Sequence, residues 1–177
     1  LEEKEMKKQE HKCLFCGTAM RREFGPLEYS ITSKWSVTVL DNESLVCPKC
    51  GEKEDLIVRA LHLEMRIAAE VIKKRNPLSG DELRFLRGLL LLNGREFARS
   101  LGISPETLSR YEKGVYRLNQ TVDRLARAMA SLYLLRHGGP AAEFPPFIEG
   151  RPVSIKLTLY LDKKGEYRVA DERRAAA

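Results

Sequence analysis

Two short cysteine motifs limit this chain more than any other feature: Cys13-Leu14-Phe15-Cys16-Gly17 and Cys47-Pro48-Lys49-Cys50-Gly51. A two-residue spacer turns both thiolates of a pair toward one point, and the Gly that follows permits a tight knuckle. Two knuckles complete a tetrahedral set of four sulfurs, each about 2.3 Å from a shared ion. Four thiolates leave no open position for water or substrate. The expected ion is therefore one structural Zn2+ per chain, held by Cys13, Cys16, Cys47 and Cys50. A disulfide pair, a redox CxxC or four unrelated thiols are the competing readings. The matched pairs, each followed by Gly, argue against redox chemistry.

The residues between the knuckles predict a ribbon. Tyr29–Thr32 and Lys34–Leu40 alternate apolar and β-branched positions, with Asp41-Asn42-Glu43 as the polar turn. Trp35, Phe24 and Tyr29 are expected around the metal layer. A module of this size, 12–54, depends on its ion to fold. Residues 1–11 are charged almost throughout and are expected to be disordered.

Over 55–76 the apolar residues Leu56, Ala60, Leu63, Ile67 and Val71 recur at helical intervals, with Asp55 as the expected cap. Asn76-Pro77 ends this linker helix, because the residue before Pro avoids helical angles. It serves either as a rod between modules or as a helix packed on its neighbour. His62 lies on it without a partner.

The segment 77–138 reads as a helical bundle. Ser79 and Glu82 form a capping box opening a helix through Leu92, with Leu83, Leu86, Leu89 and Leu90 inward. Asn93 with Glu96, then Ser104 with Pro105, start two short helices joined at Gly102, which suits positive φ. Phe97, Leu101, Ile103, Leu108 and Tyr111 fall inward and Ala98 admits a crossing helix. Glu106, Ser109, Arg110 and Lys113 are left on the outer face, where such side chains can read base edges or hold phosphate. This is a helix-turn-helix. Asn119 caps a last helix from Gln120 to Arg136, with Leu125, Met129, Leu132 and Leu135 expected inward.

The remainder, 139–177, contains an extended connector, Glu143-Phe-Pro-Pro-Phe147, and a β-hairpin. Val153–Leu161 alternates without a break, Asp162–Gly165 turns, and Glu166–Val169 returns. A lone hairpin with five aliphatics on one face must cover a surface, on its own chain or on a partner. The fold class is thus mainly α with a small β part.

Charge agrees with a polyanion partner. Residues 76–138 carry ten Lys/Arg against six Asp/Glu, the largest share of the net +6. No apolar run could span a membrane and no export signal is visible, which with four cysteines suggests a reducing cytoplasm. His11, His62 and His137 are scattered, with no nucleophile–base pair or phosphate-binding loop to indicate an enzyme.

The order Glu96-Phe97-Ala98, Gly102-Ile103-Ser104, Thr107-Leu108-Ser109-Arg110-Tyr111-Glu112 and Gly114 resembles the phage-repressor (Xre) helix-turn-helix. Together with thirty residues between two CxxC pairs, it resembles the MqsA (YgiT-type) antitoxins over roughly 12–137. The resemblance implies a transcriptional repressor that is the antitoxin of a type II toxin–antitoxin pair. Its zinc module would block a small protein toxin. Its helix-turn-helix would bind a palindromic operator in double-stranded DNA as a homodimer, autoregulating the operon in a bacterial or archaeal nucleoid.

Arg110 matches the family's base-reading arginine. Glu106 stands where the family can carry Asn, and would accept from cytosine N4 or pair with Arg110 instead. Gly94 replaces a phosphate-touching Gln, leaving Arg95 or backbone amides to substitute. Ser104, Thr107, Ser109, Lys113, Asn119 and Gln120 complete the candidate contacts, mainly to phosphate. The alternatives are a stand-alone zinc-containing regulator without a toxin and a protein–protein adaptor.

Overall fold

Alternating apolar and polar residues on either side of Ser33-Lys34 draw the first part of the chain into a long antiparallel pair. In the computed structural model, which describes residues 11–143, 145 and 150–171, these strands are β1 (Arg21–Thr32) and β2 (Trp35–Val46). β2 is the central strand. At its upper end it pairs with β3 (Lys53–Leu56), and at its lower end it runs parallel to β4 (Thr158–Leu161). β4 then turns through Asp162–Gly165 into β5 (Tyr167–Val169).

The carboxy-terminal hairpin is therefore present, but as the far edge of one five-stranded sheet. It is shorter than its alternation suggested. Over residues 153–156 the chain forms no strand, and other groups take up its backbone: Ile155 N donates to Glu82 Oε1, and Trp35 Nε1 donates to Ile155 O. The connector expected over 143–147 falls largely, and the tail at 1–10 wholly, outside the described residues.

"Mainly α with a small β part" understates this sheet, whose two long strands have twelve residues each. Asp41-Asn42-Glu43 is not a turn but a bulge inside β2. Register jumps from Gly25↔Asn42 to Leu27↔Val39, with Asp41 at φ 54°. Pro26, which lacks an N–H for the ladder, lies opposite the irregularity. Nor does the aromatic set gather at the cysteines. Trp35 is buried edge-on to Phe85, 5.5 Å between centroids, Tyr29 donates to Glu64, and Phe24 is exposed.

Among the described residues five helices follow: α1 (Ala60–Lys73), α2 (Gly80–Leu89), α3 (Gly94–Ser100), α4 (Pro105–Glu112) and α5 (Gln120–Arg136). α1 starts later than the periodicity suggested, because Asp55 belongs to β3, where it accepts from Ser44. Seven residues of α1 are buried, Met65 and Ala69 among them as well as Leu63, Ile67 and Val71. It is a packed core helix, not a free rod. Capping boxes at Ser79–Glu82 and Asn93–Glu96, and caps at Ser104 and Asn119, start the other four as expected.

The inward face of α5 differs from the expectation. Val122, Ala126, Ala130 and Leu134 are buried, while Leu125, Leu132 and Leu135 are exposed. The small alanines let neighbouring helices approach. The same face buries an ion pair, Asp123 with Arg127, which a count of leucines does not reveal. A second buried carboxylate, Glu82, takes Lys74, Ser79 N and Ile155 N, and so joins α1, α2 and the carboxy-terminal segment.

Candidate metal centre and nucleic-acid interface

The two knuckles are built alike. Cys13 N donates to Thr18 O and Gly17 N to Cys13 O. Cys47 N donates to Glu52 O and Gly51 N to Cys47 O, all at 2.8–3.0 Å. Gly17 and Gly51 sit at φ 70° and 76°, angles that strain any residue with a Cβ. The sulfurs of Cys13 and Cys50 are 3.5 Å apart, those of Cys16 and Cys47 3.4 Å, and all four lie within 4.8 Å of one another. A tetrahedron with bonds of about 2.3 Å has edges of about 3.8 Å. These separations suit four ligands around one ion and are far from the roughly 2 Å of a disulfide.

Two of the four thiols differ in acidity. Thr18, through its hydroxyl and then its backbone amide, brings the Cys16 thiol down to about 6. Cys50 is pushed up to about 12: the Glu52 amide pulls the other way, but the Cys47 and Cys13 sulfurs prevail. One sulfur holds the charge at the expense of another, and a bound divalent ion removes that competition. The four cysteines can thus bind a metal ion such as zinc, with no position left for a substrate.

α4 is presented by α3 and braced by α2. Gly102, at φ 68°, makes the bend between them, and Ser104 Oγ accepts from Thr107 N at 3.1 Å. Phe97, Ala98, Leu101, Leu108 and Tyr111 are buried beneath, with Ile103 partly so. Arg87 grips Glu112 at the end of α4 with two bonds, 2.6 and 3.2 Å. This bidentate brace is a residue pair that sequence reading missed, since its partners lie on different helices.

On the outer face Ser104, Glu106, Arg110 and Lys113 are exposed, Thr107 and Ser109 partly buried. Arg95, Asn119 and Gln120 are exposed nearby, Asn119 Oδ1 being engaged by Val122 N. Glu106 does not pair with Arg110. Its own backbone amide and then the Ser104 hydroxyl lower its carboxyl below the usual range, with the Arg110 charge a smaller contributor. Arg110 instead lies over the Tyr116 ring, 5.5 Å from its centroid. Tyr116 was also missed, because its position depends on the loop after Gly114 rather than on helical spacing.

Residues 83–129, spanning α2 to most of α5, match the helix-turn-helix family model. No curated protein matches the chain. Residues 83–129 are thus an Xre-type helix-turn-helix domain, which indicates a DNA-binding transcription regulator. Among the described residues no helix is long and apolar enough to cross a membrane.

Proposed function

We propose that the protein is a sequence-specific repressor and the antitoxin of a type II toxin–antitoxin pair, working beside the nucleoid in the cytoplasm. Domain 77–138 takes the operator and the zinc-bearing module 12–54 takes the toxin. The observation that carries the DNA reading is Arg110, exposed on the matched motif and already oriented by Tyr116. A side chain ordered before binding loses less entropy on contact, and a bidentate arginine–guanine pair contributes about 1–3 kcal/mol of discrimination.

Selection from a random duplex library should return a palindrome with half-site centres about 34 Å apart. Arg110→Ala should then lose about ten- to a hundredfold on the selected site and far less on scrambled DNA at the same salt. Equal losses on both would remove Arg110 as a base reader.

Two exposed apolar surfaces support partners. Leu14 and Phe15, 95% and 77% exposed at the tip of the first knuckle, lie in the module assigned to the toxin. Leu125, Leu132 and Leu135 form a stripe along α5 that suits a two-fold homodimer. The wild-type chain should sediment at twice 20.2 kDa, and Leu132→Glu should sediment as a monomer with weakened operator binding. A variant that stays dimeric in the ultracentrifuge would move the dimer surface elsewhere.

A further inference from the structure

A second feature of the molecule lies away from α3, α4 and the cysteines. The first half of α1, the turn after α5 and the β4–β5 hairpin enclose a cleft of about 290 Å³. Among the described residues its charged lining is one-sided: Arg59 and Arg66 from α1 and its start, and Arg168 from β5, against the carboxylate of Glu166, with His62 beside them. Spacings of three and four place Arg59, His62 and Arg66 on one stripe of the helix.

Three observations separate this cleft from an ordinary basic surface. Arg66 Nε is buried and has no hydrogen-bond partner among the described residues, although another nitrogen of the same guanidinium reaches Glu70 at 3.3 Å. A buried donor left unmade costs about 1–3 kcal/mol, more when charged, so a native protein rarely keeps one without a use. Arg59 is held at φ 55° in the cap position of α1, without any side-chain cap, and its Nη1 donates to Gly165 O of the hairpin at 3.2 Å. Tyr167 donates to Val58 O at 2.7 Å and fixes the hairpin against the same helix start. The walls are therefore tied together; Arg168 at the mouth is paired with Asp162 and Glu166, and the donor left over is Arg66 Nε.

We propose that this cleft binds a small oxyanionic metabolite, carrying phosphate or carboxylate, on Arg66 and Arg59 with Arg168 at the mouth. Guanidinium forks match such oxygens in pairs. The volume lies at the low end of ligand pockets, about 300–1,000 Å³, which fits a small anion and not a dinucleotide. No part of the recognition helix lines the cleft, so this site does not depend on the DNA reading.

The test is a titration of the full, metal-loaded chain followed by amide NMR shifts, with inorganic phosphate in one arm and succinate in the other. Sodium chloride at equal ionic strength is the control. Saturable shifts over 59–66, 138–140 and 165–168 are expected, and the arm that produces them assigns the ligand as phosphate or carboxylate. Arg66→Gln should weaken that binding at least about tenfold. Arg168→Gln, changed at an exposed position, should weaken it by a smaller factor, and Lys163→Gln, on the hairpin outside the cleft, should not change it. No saturable response in either arm, or equal binding by wild type and Arg168→Gln together with Arg66→Gln, overturns the proposal.

Discussion

Replacing Asp123 by Ala is expected to remove about 3–5 kcal/mol of folding stability, the cost of stranding a buried charge. Its partner Arg127 is 0% exposed and donates through Nε to Asp123 Oδ1 at 2.6 Å. The rest of that guanidinium ends α1: Nη1 donates to Val71 O, Ile72 O and Lys74 O, and Nη2 to Asn76 O. These carbonyls include the free acceptors at the helix terminus, where a cation is also favoured by the dipole. Asp123 Oδ2 meanwhile accepts from Leu78 N at 2.6 Å, just ahead of α2. One ion pair on α5 therefore fixes where α1 stops and in which direction the chain enters the helix-turn-helix domain.

Arg127→Met should cost a similar amount, since it leaves Asp123 and four carbonyls without their donor. The double variant Asp123→Ala/Arg127→Met should lose less than the two single losses added, because no lone charge stays buried. Urea unfolding of the four proteins measures this directly. A loss below about 1 kcal/mol for Asp123→Ala would mean that water reaches Arg127, and the clamp would be dismissed.

What the sequence disclosed was mostly local. Ser79, Asn93, Ser104 and Asn119 announce their helices because a cap and the amides it serves lie within three residues. The CxxC spacing is equally short-range, as is the exposure of Arg110. The pairing of β2 with β4 was hidden, since nothing in either strand names a partner beyond five intervening helices. The bulge at Asp41 looked like a turn because both use short polar residues at positive φ. On α5 the signal was present and misweighed. Asp123 and Arg127 stand four apart, the spacing of an ion pair, while the leucines drew attention to what is in fact the outer face. Hydrophobicity alone could not show that two charges would be the better-buried residues.

The second large effect concerns the ion. Removing it with a chelator, or changing Cys47 to Ser, should unfold the upper part of the sheet and leave the lower part and the helices intact. The division follows from the core. Trp35, Val37 and Val39, below the bulge, belong to the same buried cluster as α1, α2 and β4. Above it Leu45 is buried but stands outside that cluster, with Cys13 and Cys47 as its buried apolar company in the module. One leucine cannot offset the conformational entropy of ordering residues 12–25 and 42–56, at about 1–2 kcal/mol each for the backbone alone. A zinc held by the four sulfurs would contribute about 10–16 kcal/mol of apparent binding free energy, which in this module would be folding free energy. Hydrogen exchange should accordingly show loss of protection at the amides of Cys13, Gly17, Cys47 and Gly51, with Thr38 N, which donates to Leu157 O, still protected. Duplex binding should survive, because α4 is braced by α2 and α3 rather than by the sheet. If the metal-free chain kept the four knuckle amides protected, the upper sheet would need another source of stability, and the cysteine cluster would lose its structural role.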